Sequence, residues 1–319
     1  MIFRQLFEAT SGTYTYLLAS RRGGEAMIID PVLEKVDRYL QLIGDLDLKL
    51  VKAVDTHLHA DHITGLGALR DRTHCITVMG EQSGVDVVSM RIADGDKLRI
   101  EGLVLDVIYT PGHTDDSYSF AMSDRVFTGD TLLIRGTGRT DFQNGDPRAQ
   151  YDSIFNRLLR MPDETLVFPA HDYKGDTVST IGEERRCNPR LQVKSVDDYV
   201  TLMNGLNLSN PKMMDVAVPA NMRQGLAIEN IGRIEGELVA DHQHPRRRTT
   251  GQGDLRQRRY AEGATSGGVD LVMAQDSLVA QGFDDQGVEG FDIKRQRATV
   301  FSTGAQTAEL SPKPSEALR

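Results

Sequence analysis

Four short, mainly apolar runs in this chain each lead into histidine or aspartate residues, and no other feature constrains the fold as strongly. Runs of this length are typical of buried strands. They cover residues 50–54, 104–109, 125–129 and 164–170. The polar residues that follow them are His57, His59, Asp61 and His62, then His113, then Asp130, and finally His171. Because enzymes of layered α/β architecture build their sites where strands end, we expect these side chains to meet at one edge of a sheet.

The segment 56–62 indicates a metal site, because three histidines and one aspartate stand within seven residues. In extended backbone His57 and His59 face the same way, and Asp61 and His62 lie close to a helix predicted from residue 63. This set is sufficient for one metal ion or for two. Imidazole binds zinc, iron, copper and nickel, so the segment does not identify the metal. His74 has apolar neighbours and no such placement, and we expect it to be structural.

Composition argues against several other classes of protein. A net charge of −9 disfavours nucleic acid as the main partner, and no apolar run reaches the length of a membrane span. The two cysteines, Cys75 and Cys187, are far apart in sequence and make neither a disulfide framework nor a metal site. The chain begins at once with a strand-like pattern over residues 1–18, so we expect no leader sequence and a cytoplasmic location.

The chain changes character near residue 230. Residues 1–228 are predicted to form one globular domain, whereas residues 229–319 are rich in Gly, Arg, Gln and Ser and are predicted to be a largely disordered tail. Before this boundary, residues 195–203 predict a helix with Ser195 as its N-cap. Little helical pattern remains after residue 205.

The HxHxDH motif formed by His57, His59, Asp61 and His62 is similar to that of the metallo-β-lactamase superfamily. Within it the chain more closely resembles the persulfide dioxygenases, also called sulfur dioxygenases. The matching segments cover residues 55–65, 127–142, 169–173, 178–180, 188–191 and 218–221. The resemblance extends over residues 1–228. It implies an α/β fold, the αββα sandwich, with the metal site at one edge of its two sheets.

This resemblance also implies a ligand set and a reaction. A single Fe(II) would be held by His57, His113 and Asp130, a two-histidine, one-carboxylate group that suits oxygen chemistry. The expected reaction converts glutathione persulfide, dioxygen and water into glutathione and sulfite. The residues that bind metal in two-metal relatives would instead orient the iron ligands and relay protons. These are His59, Asp61, His62 and the catalytic candidate His171. All four are retained, so the spacing alone leaves a second metal open.

Substrate recognition requires positive charge, because glutathione carries two carboxylates. The resemblance associates Arg139, Tyr173 and Arg190 with the glutathione pocket, and Asp141 with the amino end of the substrate. An arginine can pair with a carboxylate through two parallel hydrogen bonds. The alternative for Arg139 is an ion pair with Asp141 inside the protein. A homodimer is compatible with the resemblance, although the sequence does not decide the oligomeric state.

Two other functions remain open at this stage. A glutathione-thioester hydrolase of glyoxalase II type would use the same ligands to hold two metals and a bridging water. Such hydrolases usually continue into a helical substrate domain, which the weak helical pattern after residue 205 disfavours. A non-enzymatic protein that uses its tail for interactions would be expected to lose ligands, and every ligand is present. Some persulfide dioxygenases carry a rhodanese domain, but residues 229–319 contain no cysteine, so we expect no rhodanese chemistry there.

Overall fold

The polypeptide is described by a computed structural model over residues 1–209 and 213–226. Two six-stranded sheets pack face to face within these residues. The predicted tail, residues 229–319, and the predicted domain boundary at residue 228 lie outside the described residues. The first sheet has the spatial order of the chain, and its strands are β1 (Ile2–Glu8), β2 (Thr13–Ala19), β3 (Glu25–Ile29), β4 (Lys49–Val54), β5 (Ile76–Gly80) and β6 (Met90–Ile92). The first three strands are antiparallel, and β3 to β6 are parallel.

The second sheet supplies the other strand ends of the site. Its strands are β7 (Lys97–Ile100), β8 (Leu103–Tyr109), β9 (Tyr118–Ala121), β10 (Arg125–Gly129), β13 (Leu166–Pro169) and β14 (Ser179–Thr180). They lie in the order β14-β13-β10-β9-β8-β7, and only β10 and β13 are parallel neighbours. A two-stranded ribbon, β11 (Leu132–Leu133) with β12 (Gly136–Thr137), follows β10.

Helices cover the outer face of each sheet. The helices are α1 (Val36–Asp45), α2 (Leu66–Thr73), α3 (Pro147–Asp152), α4 (Ile181–Cys187), α5 (Val196–Asn204) and α6 (Met214–Asn221). Short 3₁₀ turns cover Leu33–Lys35, Glu81–Ser83, Leu158–Arg160 and Pro189–Leu191, and Ser153–Arg157 forms a π turn. Helix α5 begins with Ser195, whose side chain accepts a hydrogen bond from the Asp198 amide, as predicted. His74 forms the left-handed C-cap of α2, a structural role.

The hydrophobic core lies in three layers, because successive side chains of a strand point to opposite faces. Along β2, Tyr16 and Leu18 enter the layer between the sheets, whereas Leu17 packs under α1 and α2. Along β10, Phe127 faces the same central layer and Val126 faces the helices of the second sheet. Both strands are therefore buried on both faces. The result is the expected αββα sandwich.

Two details of the sequence prediction are wrong. The strand ends do not share one sheet: β4 belongs to the first sheet, and β8, β10 and β13 belong to the second, so the polar residues meet across the open edge of the sandwich. The chain also forms another helix after residue 205, α6. Pro219 inside α6 and its two valines conceal the helix from sequence reasoning, since these residues have low helix propensity.

Among the described residues, no helix is both long and apolar enough to cross a membrane.

Candidate metal centre

Three side chains from three loops converge at the edge between the sheets. His57 follows β4, His113 follows β8 and Asp130 follows β10. One potential ligand atom from each lies within 4.8 Å of the others. The Nε2 atom of His113 is 3.6 Å from Oδ2 of Asp130, and the His57 and His113 rings are 5.0 Å apart at an angle of 84°. The structure therefore brings together the three residues that the resemblance assigned to iron.

Each of these three side chains also forms a hydrogen bond through the atom that points away from the other two ligands. Nδ1 of His113 donates to the backbone carbonyl of Arg139 at 2.7 Å, because a carbonyl only accepts, and Nε2 is the ring nitrogen that faces Asp130. Nδ1 of His57 lies 3.0 Å from the Thr56 hydroxyl. Oδ1 of Asp130 lies 2.7 Å from Nδ1 of His171. Such outer contacts orient metal ligands, and they leave two imidazole nitrogens and one carboxylate oxygen directed at a common point.

The charges of the centre suit a cation. Burial lowers the pKa of His57 well below its usual value, and the neighbouring His59 and His113 imidazoles lower it further. His57 is thus neutral, which is the form that binds metal. Burial alone would raise the pKa of the Asp130 carboxyl, but His171 and His113 outweigh it and hold that pKa below its usual value. The donor set of two imidazoles and one carboxylate fits a non-haem Fe(II) ion and leaves coordination positions for other ligands.

His171 is held between two carboxylates. Its Nδ1 lies 2.7 Å from Asp130 and its Nε2 lies 2.8 Å from Oδ2 of Asp61. Burial would lower the pKa of this imidazole, but the two carboxylates outweigh burial and raise the pKa well above its usual value. Both ring nitrogens of His171 thus lie within hydrogen-bond distance of a carboxylate.

A second group of potential ligands lies beside the first and consists of His59, Asp61 and His62. Nε2 of His59 is 3.2 Å from Oδ1 of Asp30, and Nδ1 of His62 is 2.9 Å from Oδ2 of Asp61. Nδ1 of His59 and Nε2 of His62 are buried and have no hydrogen-bond partner among the described residues. Two nitrogen ligands of a two-metal site are thus present, whereas His171, which would complete that site, is occupied by its carboxylates.

Of the predicted substrate residues, Tyr173 contacts the centre through His171, and the other three lie on or against β12 and the loop that follows it. The Arg139 guanidinium forms a bidentate ion pair with Asp141 at 2.6 and 2.7 Å, the alternative considered for it above, while its backbone carbonyl holds His113. The Arg190 guanidinium donates to the backbone and hydroxyl oxygens of Thr137, two residues before Arg139. The Tyr173 ring is 73% exposed and stacks over His171, with ring centroids 6.0 Å apart. Tyr173 therefore lies at the open side of the site.

Sequence reasoning missed several residues that support the centre. Asp30 follows β3 and accepts hydrogen bonds from the Thr56 amide and hydroxyl. The rule that identified Asp130, a carboxylate directly after a buried strand, would also have identified Asp30. Thr13 opens β2, and its hydroxyl lies 3.0 Å from Nε2 of His171. No local signal marks Thr13, because its role depends on the pairing of distant chain segments.

Comparisons with known proteins agree with this geometry. The profile of the metallo-beta-lactamase superfamily matches residues 10–171. Mitochondrial persulfide dioxygenase ETHE1 of Homo sapiens is 48% identical over 229 residues, which cover 71% of this chain and 89% of that protein. The crystal structure of ETHE1 from Myxococcus xanthus is 53% identical with a TM-score of 0.69, and it covers 71% of this chain and 100% of that one. Hydroxyacylglutathione hydrolase of Haemophilus ducreyi is 30% identical, over 59% of this chain and 92% of that protein.

Proposed function

Because the chain belongs to the metallo-β-lactamase superfamily and, within it, to the persulfide dioxygenases, we propose that it oxidises glutathione persulfide at a single Fe(II) ion. In the proposed reaction one persulfide, one dioxygen and one water give one thiol, one sulfite and two protons, so the terminal sulfur gains three oxygen atoms. The proposal rests on the group of His57, His113 and Asp130. In each of them the side-chain atom that points away from the centre forms a hydrogen bond with another residue.

The chain supplies the chemistry around the metal. Bound Fe(II) would provide positions at which a persulfide sulfur and dioxygen are held side by side, which replaces a bimolecular encounter by an oriented one. The His171 ring lies between Asp61 and Asp130. It would orient the ligand Asp130 and relay protons through Asp61, whose side chain is partly exposed. Tyr173 stacks over His171 and covers one side of that ring.

The glutathione part of the substrate would bind along the loop that carries Arg139. The Arg190 guanidinium donates to the oxygens of Thr137, and the Arg139 guanidinium is paired with Asp141. As the resemblance implies, we assign the carboxylates of the substrate to Arg139 and Arg190 and the substrate amine to Asp141. Arg190→Ala should raise KM about tenfold or more, the value of a lost charged hydrogen bond. Arg186→Ala, which removes an exposed arginine of α4, is the control.

Oxygen consumption tests the proposal directly. Protein reconstituted anaerobically with Fe(II) should consume oxygen when glutathione persulfide is added, release sulfite, and hold about one iron per chain. Asp130→Ala should bind no iron and show no consumption, because it removes the only carboxylate of the ligand set. Protein that holds one iron per chain and consumes no oxygen with any thiol persulfide would refute the proposal.

The glyoxalase II type of hydrolase is the second candidate, because His59 and His62 each keep a buried nitrogen that has no hydrogen-bond partner within residues 1–209 and 213–226. It requires two metal ions and a bridging water. Hydrolysis of lactoylglutathione with about two zinc ions per chain would favour this reading. The carboxylate-bound His171 disfavours it, since the second metal would have to displace both hydrogen bonds of that residue.

The cytoplasmic location and a homodimer remain predictions. Cell fractionation would test the location, and light scattering would test the oligomeric state.

A further inference from the structure

The side chain of Asn221, at the end of α6, is buried against the loop that carries the metal motif. It is 2% exposed, and both the nitrogen and the oxygen of its amide group form hydrogen bonds. Nδ2 donates to the backbone carbonyls of His59 and His62 at 2.9 and 2.8 Å, and Oδ1 accepts from the Thr64 amide at 2.8 Å. One side chain thus holds three backbone groups of a segment about 160 residues earlier in the chain.

The loop requires such a partner. It connects β4 to α2, and the backbone groups of a connecting loop have no regular ladder to satisfy them. A buried carbonyl without a hydrogen bond is unfavourable, so a loop with unpaired carbonyls tends to rearrange towards solvent. Asn suits the position because its amide group donates twice and accepts at the same time.

A continuous set of contacts leads from this loop to an iron ligand. The loop carries Asp61, whose carboxylate holds Nε2 of His171 at 2.8 Å. His171 in turn holds Oδ1 of Asp130 at 2.7 Å. A change in the loop backbone would therefore shift Asp61 and then the carboxylate that binds the metal. Asn221 itself contacts only backbone atoms in these bonds, so it can act on the centre by position alone.

We propose that Asn221 is a positioning residue for the metal centre, and that α6 with residues 222–226 is an integral part of the catalytic domain. The residues after Asn221 strengthen this attachment. The Gly67 amide of α2 donates to the backbone carbonyl of Gln224, and a Cβ atom at Gly225 would lie 2.3 Å from the carbonyl of Thr64. The segment is therefore seated closely on the metal loop and on α2. This inference rests on the proposed iron site.

A matched control exists on the same segment. The Gln224 side chain is also fully buried, and its amide donates to the Thr77 hydroxyl and accepts from Arg70. Those partners lie in β5 and α2 and not in the loop over residues 55–65. Gln224→Met should loosen the segment without removing any bond to the metal loop, whereas Asn221→Leu, of similar size, removes all three.

The experiment measures the loop and the metal without any persulfide. Amide hydrogen exchange of peptides covering residues 57–66 is compared in metal-free wild type, Asn221→Leu and Gln224→Met, at a temperature at which all three are folded. Release of Fe(II) to an excess of chelator is then followed under nitrogen. Asn221→Leu should speed exchange in this segment and iron release roughly tenfold or more, the usual effect of losing a contact behind a ligand. Gln224→Met should stay within about twofold of wild type.

Equal effects of the two variants would overturn the proposal, because they would show general loosening of the domain. Wild-type exchange and release in Asn221→Leu would also overturn it. If Asn221→Leu does not fold, Asn221→Asp replaces it: this variant keeps the acceptor for Thr64 and loses both donors, so it should show the same local loss. Since neither readout involves oxygen consumption, failure of the persulfide reaction would leave this test intact.

Discussion

Gly138→Ala should damage the centre although the change adds a single methyl group outside the ligand set. A Cβ atom built at Gly138 would lie 2.2 Å from the Asp130 carbonyl and 2.8 Å from the His113 ring. Real Cβ atoms essentially never approach closer than 3.0 Å, so the backbone around residue 138 must move by about 0.8 Å. The next carbonyl, that of Arg139, is the one that holds Nδ1 of His113.

The magnitude follows from this displacement. A shift of about 0.8 Å would lengthen the 2.7 Å bond between His113 and Arg139 to about 3.5 Å, beyond hydrogen-bond range. The loss of that bond costs about 1 kcal/mol, and overpacking adds about 1–3 kcal/mol. We therefore expect the free energy of unfolding to fall by about 2–4 kcal/mol. A misplacement of this size should lower kcat/KM for the persulfide about 100-fold.

Urea unfolding and oxygen-electrode kinetics provide the assay, and Gly136→Ala is the matched control. Gly136 lies two residues earlier, in strand β12, and the atom nearest to a Cβ added there is 3.8 Å away. Gly136→Ala should therefore leave kcat/KM unchanged and alter the free energy of unfolding by no more than about 1 kcal/mol. The reasoning is refuted if Gly138→Ala keeps wild-type stability and activity, or if Gly136→Ala is equally damaging.

Three further outcomes are expected. Burial alone would raise the pKa of Glu8, but hydrogen bonds from residues 10–11 lower it to about 2. The stability that these bonds contribute is present above about pH 4.5 and is lost as the pH falls towards about 2. In urea titrations, Glu8→Gln should therefore lose less stability than wild type between about pH 6 and pH 3. Phe120→Ala, at a fully buried position, should lower the free energy of unfolding by about 3–5 kcal/mol, whereas Val104→Ala, at an exposed one, should change it by less than about 0.5 kcal/mol. Free Fe(II) at about 100 times its Kd should stabilise the protein by about 2.7 kcal/mol in thermal scans, and a chelator or Asp130→Ala should remove this gain.

Much of the fold could be predicted because its signals are local. The apolar runs before His57 and Asp130 are strands, β4 and β10, and Ser195 caps α5 at the predicted position. Strands are recognisable within five or six residues, and an N-cap within four. Helix α6 escaped prediction because Pro219 contradicts the local preference, and packing of Asn221 against the metal loop outweighs it.

The sequence by itself determined the residue types of the centre and the strand ends on which they stand, since both are properties of short segments. It could not determine that these ends belong to two different sheets, because strands buried on both faces carry no signal of which partner they meet. It also could not determine that His171 is held between two carboxylates, so that the choice between one metal and two stayed open. Those outcomes depend on contacts between residues 41 to 162 positions apart, and only the tertiary structure brings such residues together.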